Sequence, residues 1–376
     1  MNPVERLAYD LGQATRVAWF YAHGELASRL APPILEPPDI AAPLPTRQQL
    51  MADLLALFRR DRANIEAGLY RPPQGPIGSP LGALRQSLAF LSDLGRIDRR
   101  RRERIHDEVR ADAAAARYPD YYAQNFHFQT DGYLSDHSAA VYDFQVEVLF
   151  KGGADAMRRQ ALVPIAEHLR GRRIREQRLL DVGCGTGRFL GLVKQNYPRL
   201  PVVGLDLSEA YLRRARGALD AWSWVELTQG AVEALPFADA SFDLVSCVYL
   251  FHELPRPVRE RAAAEFARVL RPGGRLVLVD SFQRGDEPGF DGLLELFPLA
   301  YHEPYFADYV RHDLSALFAA VGLQPKSAER AHMSKVMTFD KPWGRAPHRH
   351  AQAPGAQHSP RSPRRRRTHA PDRARR

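Results

Sequence analysis

Apolar residues recur at helical spacing over the first third of the chain. In segments 3–30 and 46–58 they lie three or four positions apart, and a T-x-x-Q capping box opens the second segment. Segment 80–94 begins with a proline that suits the first turn of a helix, and the charged, then alanine-rich segment 98–117 predicts another. Residues 1–118 are therefore expected to form a helical extension without catalytic residues of its own.

From residue 178 onward, short apolar runs alternate with amphipathic segments. This pattern is typical of a parallel sheet with helices on both faces. The predicted strands are 178–182, 201–206, 223–229, 242–248, 275–281, 324–330 and 334–339. The predicted helices are 154–169, 188–196, one that begins after Ser208, 256–270 and 313–321. The predicted fold class is α/β, with a seven-stranded, mostly parallel, Rossmann-like sheet behind the helical extension.

Two segments interrupt this alternation. Residues 119–153 are dense in aromatic side chains and are interpreted as a connector or lid. Residues 282–312 form an insertion between the fifth strand and the next helix. The expected organisation is thus an extension (1–118), a connector (119–153), an α/β domain (154–341) that carries the insertion, and a tail (342–376).

Composition excludes several classes of protein. The chain has 376 residues, 45% of them hydrophobic, which is ordinary for a globular protein. No uncharged apolar run approaches the roughly 18 residues of a membrane span, and the first residues lack the apolar core of a signal peptide. The two cysteines cannot form a disulfide framework, and no Cys/His cluster has zinc spacing, so no metal is expected. A cytoplasmic location is the expectation.

The net charge of +9 belongs to the tail. Of 53 basic and 44 acidic residues, eleven basic and one acidic lie in 341–376, which leaves residues 1–340 with a net charge of −1. The tail is rich in Arg, Pro, His and Ala and has no apolar periodicity, so it is predicted to be disordered. It is either a solvated appendage or a weak contact for nucleic acid or an anionic membrane surface. Nucleic acid is disfavoured as a partner because the body is neutral.

The strongest chemical signal is a glycine-rich turn at 183–187. It follows a predicted strand, has the spacing G-x-G-x-G, and is preceded by Asp181. Glycines let a ligand approach the backbone closely, and such a turn is where open α/β sheets bind nucleotide-like cofactors. The dinucleotide fingerprint requires glycine at the position of Arg188, so the spacing argues against NAD.

The pattern D-x-G-x-G-x-G resembles the first motif of class I S-adenosylmethionine (SAM) methyltransferases. Asp206, at the end of the next strand, resembles the second motif, in which a carboxylate accepts both ribose hydroxyls. Segments 229–237, 241–245 and 268–274 follow in the family's order, and agreement across separate segments favours the fold. Segments 235–237 and 249–255 look most like the ubiquinone/menaquinone-type superfamily, with the rest resembling a branch that has a helical extension.

The resemblance implies SAM as cofactor and methyl transfer to a small molecule as the activity, with an aromatic or lipophilic acceptor as one expectation. Many family members carry an aspartate where this chain has Ala231, so the backbone of Ala231 or Val232 is expected to contact the adenine. The implied cofactor-binding residues are Asp181, Gly183, Cys184, Gly185, Gly187, Asp206, Leu207, Ala231, Val232 and Tyr249.

His252 is the candidate catalytic base. It follows the fourth strand, where the acceptor approaches the methyl group in this family, and an ordinary histidine pKa near ~6.5 suits proton abstraction. The alternative is that His252 caps or packs beneath the next helix. Glu253 is a second candidate, more in keeping with a hydrogen-bonding role.

Aromatic residues of the connector and the insertion are candidates for the acceptor site. They could line a ring-walled pocket, or they could form the core between the extension and the sheet. The candidate acceptor-binding residues are Tyr133, His137, Tyr301, His302 and Tyr305. Two other functions stay open, a SAM-binding module without catalysis and a nucleic-acid methyltransferase guided by the tail. The sequence gives no indication of oligomeric state.

Overall fold

Three long helices begin the chain. The computed structural model describes residues 1–32, 40–73, 80–111 and 115–343. The helices are α1 (Pro3–Leu30), α2 (Arg47–Glu66) and α3 (Pro80–Glu103). Capping boxes fix the starts of α1 and α2, where Asn2 and Thr46 accept hydrogen bonds from the backbone three residues on.

The predicted separate helix at 98–117 is wrong. Helix α3 runs unbroken to Glu103, because Asp98 pairs with Arg101 and Arg102 one turn later and Arg100 is buried against Thr130. The chain then enters a left-handed conformation at Arg104. Two 3-10 turns, Glu108–Ala111 and Ala115–Arg117, follow it.

The aromatic segment contains a helix that periodicity did not reveal. Helix α4 (Asp136–Leu149) begins at Ser135, whose side chain accepts from the backbone N–H of Ser138. Its Phe144 packs against Phe20 of α1 and Phe90 of α3. The predicted helix at 154–169 is two, α5 (Ala154–Arg159) and α6 (Leu162–Leu169).

The rest of the chain builds the sheet and its covering helices. The elements are β1 (Leu179–Val182), α7 (Arg188–Asn196), β2 (Val202–Asp206), α8 (Glu209–Leu219), β3 (Val225–Gln229), β4 (Phe242–Val248), α9 (Arg256–Val269), β5 (Leu270–Ser281), α10 (Asp291–Ala300), α11 (Phe306–Tyr309), α12 (Leu314–Ala320), β6 (Gln324–Ala331) and β7 (Ser334–Asp340). The strand order is β3-β2-β1-β4-β5-β7-β6, with β7 antiparallel to both neighbours. This confirms the predicted α/β, Rossmann-like fold.

The order places β1 between β2 and β4 and brings the carboxyl ends of these strands to one edge. All four residues of β1 are buried, and Asp181 stands in register with Gly204 of β2 and Ser246 of β4. Strands β2 and β3 are added on one side of β1 and strands β4 and β5 on the other, and a crevice at such a switch point is where open α/β sheets bind ligands.

The helical extension packs directly on the sheet domain. Leu54 and Leu57 of α2 share one apolar core with Leu179 of β1 and Val277 of β5. Asp61 of α2, fully buried, forms an ion pair with Arg159 of α5 at 2.6 Å. Met1–Trp343 form one compact unit.

No helix within the described ranges combines the length and apolar character needed to cross a bilayer. The basic tail is predicted to be disordered over 342–376, and from residue 344 onward it lies outside the described part of the chain.

Candidate active site

A cavity opens at the carboxyl ends of β1, β2 and β4. Its walls come from the glycine-rich turn, the ends of these strands, the 3-10 turn after β4 and the aromatic segment before α4. The lining residues used below are Tyr121, Tyr122, Tyr133, Tyr142, Arg158, Asp181, Gly183, Cys184, Gly185, Asp206, Leu207, Gly230, Val232, Tyr249 and Glu253.

The turn after β1 depends on glycine for its shape. Gly183, Gly185 and Gly187 have φ of 71°, 54° and 78°, in the left-handed region that glycine adopts without strain. A Cβ at Gly187 would also stand 3.2 Å from the Cβ of Ala215 in α8. The first two glycines line the cavity, whereas Gly187 is used for the close packing of α7 on α8.

Two buried carboxylates flank the turn. Asp181 accepts a hydrogen bond from Ser246 Oγ at 2.7 Å, and burial raises its pKa to about 7. Asp206 accepts from the backbone N–H groups of Gly185 and Ser208, both at 2.8 Å, and burial raises its pKa to about 6. Asp206 therefore holds the turn in place and keeps oxygen lone pairs toward the cavity.

Of the two residues predicted to contact the adenine, one lines the cavity of the described chain and the other does not. Val232 is buried and lines the cavity together with Gly230 and Leu207. Ala231 does not appear among the lining residues of the described chain. The structure thus places the apolar side chain of Val232, and not Ala231, in the wall of the cavity.

Arg158 was missed by the sequence reasoning. It lies on the buried helix α5, with its guanidinium 3.2 Å from Asp155 and 5.5 Å from the centre of the Tyr249 ring, and it lines the cavity. Helix α5 reads Ala-Asp-Ala-Met-Arg-Arg, so no apolar pattern marks Arg158 as buried, and its approach to the glycine turn depends on tertiary packing. Tyr249 itself adopts φ of 58°, a strained conformation for a non-glycine residue.

Tyrosines line the other half of the cavity. Tyr122, Tyr133 and Tyr142 are in ring contact, and the Tyr133 hydroxyl donates to Glu253 at 2.5 Å. Tyr121 donates to Glu233 at 2.9 Å. Of the predicted acceptor residues, Tyr133 is the one that lines this cavity within the described ranges.

The other predicted acceptor residues lie elsewhere. His302 stacks on His106 with ring centres 4.2 Å apart, and Tyr301 contacts His127. Tyr305 packs behind the tyrosines that line the cavity, and His137 is exposed 3.7 Å from Asp93. Tyr301, His302 and Tyr305 are thus in contact with other rings, and their role in acceptor binding stays a prediction.

His252 lies beneath the cavity wall. Its Nδ1 is 2.6 Å from Asp280 at the end of β5, while Nε2 lies 3.9 Å from Glu253. Burial lowers the pKa of His252, but the Asp280 carboxylate more than compensates and raises it to about 10. Within the described chain Glu253 lines the cavity and His252 does not. Asp280 was not predicted, because its contact with His252 joins two strand ends.

Known proteins match the second half of the chain. A family model described as "Methyltransferase domain" matches residues 179–274. The chain is 36% identical over 152 residues to a phosphatidylethanolamine N-methyltransferase of Cereibacter sphaeroides, covering 40% of this chain and 67% of that protein. It is 39% identical over 174 residues to a ubiquinone/menaquinone biosynthesis C-methyltransferase of Dinoroseobacter shibae, covering 44% and 67%.

A malonyl-acyl-carrier-protein O-methyltransferase of Methylococcus capsulatus is 42% identical over 99 residues, which are 26% of this chain and 35% of that one. The chain thus spans 35% to 67% of the length of these three relatives. A solved SAM-dependent methyltransferase of Aquifex aeolicus is 20% identical, with a TM-score of 0.35 over 44% of this chain and 82% of that one. The fold is assigned from the sheet order of this chain, not from that match.

The sheet order, the glycine turn and the paired carboxylates define a class of SAM-binding α/β proteins. With the relatives that it matches over two thirds of their length, the chain belongs to the class I SAM-dependent methyltransferases. The family implies S-adenosylmethionine as cofactor, and the residues present fit it, because Asp206 keeps acceptor capacity beside the turn.

Proposed function

We propose that this protein transfers a methyl group from SAM to a small-molecule acceptor with an aromatic or lipophilic body. One observation carries the proposal. A single cavity joins the carboxylates of the cofactor half, Asp181 and Asp206, to a tyrosine-lined half that ends at Glu253. A protein that only stored SAM would have no need of the second half.

In the cofactor half, Asp206 accepts the ribose hydroxyls and Asp181 faces the amino end of SAM. Arg158, a buried cation in the same wall, is suited to the methionine carboxylate. Val232 and Leu207 provide apolar contact for the adenine. SAM supplies a methyl group already activated by its sulfonium.

The protein's own contribution is alignment and exclusion of water. Asp181, Asp206 and Arg158 would hold SAM, whose methyl group would pass to a lone pair of the acceptor with S-adenosylhomocysteine as the leaving group. Tyr122, Tyr133 and Tyr142 hold the acceptor body by ring and apolar contact. The relatives methylate oxygen, nitrogen and carbon according to their names, so the atom methylated is not carried over from them.

His252 acts on the acceptor through Glu253 in this proposal. Asp280 holds Nδ1 of the ring, and Nε2 lies 3.9 Å from the Glu253 side chain that lines the cavity. His252→Ala is expected to leave the SAM dissociation constant within about twofold and to lower turnover by about 100-fold, within the range of single acid–base or positioning groups. Isothermal titration with SAM and product formation measure the two effects. Normal turnover would contradict any role for His252 in the reaction.

The proposal is tested with methyl-labelled SAM. The purified full chain is incubated with labelled SAM and a metabolite extract, and labelled products are identified by mass. Transfer of label to a small molecule is expected, with Asp206→Ala as the control that loses both SAM binding and transfer. SAM binding without transfer to any fraction would instead identify a non-catalytic SAM-binding module. Label in nucleic acid would favour the tail-guided alternative.

A further inference from the structure

Four side chains with metal-binding atoms meet at the acceptor end of the cavity. They are His127, His252, Glu253 and Glu303, and one ligand atom from each lies within 4.8 Å of the others. They come from three segments far apart in sequence, namely the 3-10 turn Phe126–Phe128, the 3-10 turn after β4 and the loop between α10 and α11. For this reason the sequence, read for local zinc spacing, predicted no metal.

Glu303 gives the strongest indication of a bound cation. Its side chain is fully buried, and among the described residues neither carboxylate oxygen accepts a hydrogen bond. His127 Nε2 approaches one oxygen to 3.0 Å, but without the alignment of a hydrogen bond. Burying a carboxylate without full compensation is costly, so such groups in proteins are paired or bind metals. Within the part of the chain that the structure describes, the other lone pairs of Glu303 have no partner.

The surroundings hold the cluster in place as outer groups do around a metal. Asp280 accepts from His252 Nδ1, which leaves Nε2 directed at the cluster, and Tyr133 donates to Glu253. His127 is presented in a left-handed conformation, with φ of 53°. Strain of this kind persists where the surrounding structure enforces it, and it concentrates at functional sites.

The cluster is also enclosed by rings. Phe297 and Tyr301 meet the edge or face of His127, and Phe306 and Tyr309 do the same for His252. Rings beside these groups lower the local dielectric constant and strengthen electrostatic interactions, while the His127 side chain keeps 23% of its surface exposed.

We propose that His127, His252, Glu253 and Glu303 bind one divalent transition-metal cation of the Zn²⁺ type. Two imidazoles and two carboxylates without a thiolate suit Zn²⁺ or Fe²⁺ and disfavour Mg²⁺, which prefers oxygen ligands and water. With metal–ligand distances of about 2.1 Å, the ligand atoms of a tetrahedral site lie about 3.4 Å apart. The four atoms lie within 4.8 Å of one another, so the most distant pair would have to approach by up to about 1.4 Å through side-chain rotation.

The metal site also restricts the chemical class of the methyl acceptor, an inference that rests on the proposed function. Glu253 belongs both to the cluster and to the cavity wall, so a bound cation would face the acceptor half. A cation there favours an acceptor with an oxygen, such as a hydroxyl, carbonyl or carboxylate, close to the atom that is methylated. The acceptor class becomes a ring-bearing, oxygenated small molecule.

Metal binding is measured without any activity. The purified full chain is stripped with chelator, dialysed and titrated calorimetrically with ZnCl₂, and its metal content is read by mass spectrometry. Histidines at His348, His350, His358 and His369 offer other weak contacts, so the decisive quantity is the difference between variants. Glu303→Gln and His127→Gln are expected to weaken the tight site at least 100-fold, and Asp280→Asn by about 10–100-fold through its effect on His252.

Two controls keep the result interpretable. Glu303→Gln keeps the shape of a side chain that accepts no hydrogen bond, so its circular dichroism and SAM binding are expected to match the wild type. His332→Gln alters another buried histidine paired with an aspartate, Asp53, outside the cluster, and is expected to keep Zn²⁺ affinity. MgCl₂ is expected to show no binding at micromolar concentration.

The alternatives are distinct. Absence of tight Zn²⁺ binding in the wild type, or equal binding in Glu303→Gln, would overturn the metal site. Tight binding that is lost in Glu303→Gln supports it even if no methyl acceptor is found. Conversely, a methyltransferase whose turnover and products are the same with and without Zn²⁺ would retain the proposed function and overturn the assignment of an oxygenated acceptor held by the cation.

Discussion

At the scale of single residues, the cofactor half of the cavity is assembled from groups that are costly to bury. Asp181 is 1% exposed, and within the described residues its side chain has a hydrogen bond only from Ser246. Burial raises its pKa from 3.8 to about 7, so its ionised form opposes folding. We therefore expect Asp181 to contribute to ligand binding and not to the stability of the free protein.

Asp181→Asn is expected to stabilise the protein without SAM while weakening SAM binding at least tenfold. Between about pH 4 and 7 the folded state retains a proton that the unfolded state releases, so the Asp181 contribution to stability falls as pH rises through this window. At pH 8 the substitution removes a buried charge, and the free energy of unfolding should rise by about 1–3 kcal/mol. Urea unfolding at pH 8 and pH 5 measures this, and an equal effect at both pH values would contradict it.

SAM affinity is expected to depend on the protonation of Asp206. Its pKa, raised to about 6 by burial, means that part of the population is protonated in mildly acidic solution. The ribose hydroxyls need a carboxylate acceptor, so binding favours the ionised form and releases a proton. Affinity should fall as pH drops from 7 to 5 and change little above pH 7. Calorimetry in buffers of different ionisation enthalpy measures the protons released, and proton uptake or a flat profile would contradict the assignment.

At the scale of elements, the strand pattern was largely readable and the helices less so. Strand β4 begins and ends as predicted, because a short, mostly apolar run with five of its seven residues buried has few other interpretations. Helix α4 was missed because its buried positions are set by contacts on two sides, to Phe20 and to Tyr211, and not by one apolar stripe. Helix α3 is longer than predicted because ion pairs, which hydrophobic periodicity does not detect, stabilise its last turns.

The ion pair between α2 and α5 is expected to contribute strongly to the free energy of unfolding of the described unit. Asp61 accepts hydrogen bonds from Arg159 and from the hydroxyls of Tyr9 and Tyr70, which ties three helices and a loop together. Asp61→Ala leaves Arg159 buried without its partner and should lower the free energy of unfolding by about 3–5 kcal/mol. Removal of the exposed Arg173–Glu176 pair by Glu176→Ala is the matched control, with a change within about 0.5 kcal/mol. Equal decreases in the free energy of unfolding for Asp61→Ala and Glu176→Ala, measured with denaturant, would contradict this role of Asp61.

At the scale of the whole molecule, local motifs predicted the cofactor half and long-range contacts decided the rest. The glycine turn and Asp206 lie within one stretch of sequence, so their roles could be inferred from spacing. Arg158, Asp280 and Glu303 reach the cavity or its cluster from segments before and after the motifs, and no local pattern marks them. The acceptor end of the cavity is accordingly formed by contacts between segments that are distant in the sequence, and local motifs do not reveal it.

The basic tail is expected to be dispensable for methyl transfer, since residues 1–340 are close to neutral and carry both halves of the cavity. The deletion should begin at residue 344 and not at 341. The Lys341 ammonium donates to the carbonyls of Ala267 and Leu270, and the Trp343 ring covers Gly273, so a cut before them would disturb the end of α9 and the start of β5.

Deletion of 344–376 should leave SAM affinity and turnover within about twofold. It should abolish most of the salt-dependent retention on a heparin column, because ten basic residues lie in that segment. A matched variant that replaces Arg364, Arg365, Arg366 and Arg367 by serine separates charge from length. Loss of turnover in both variants would mean that the acceptor is recruited through phosphate or another anionic group. Loss in the deletion alone would point to a role of the segment that does not depend on these charges. Unchanged turnover in both places acceptor recognition in the tyrosine-lined half of the cavity.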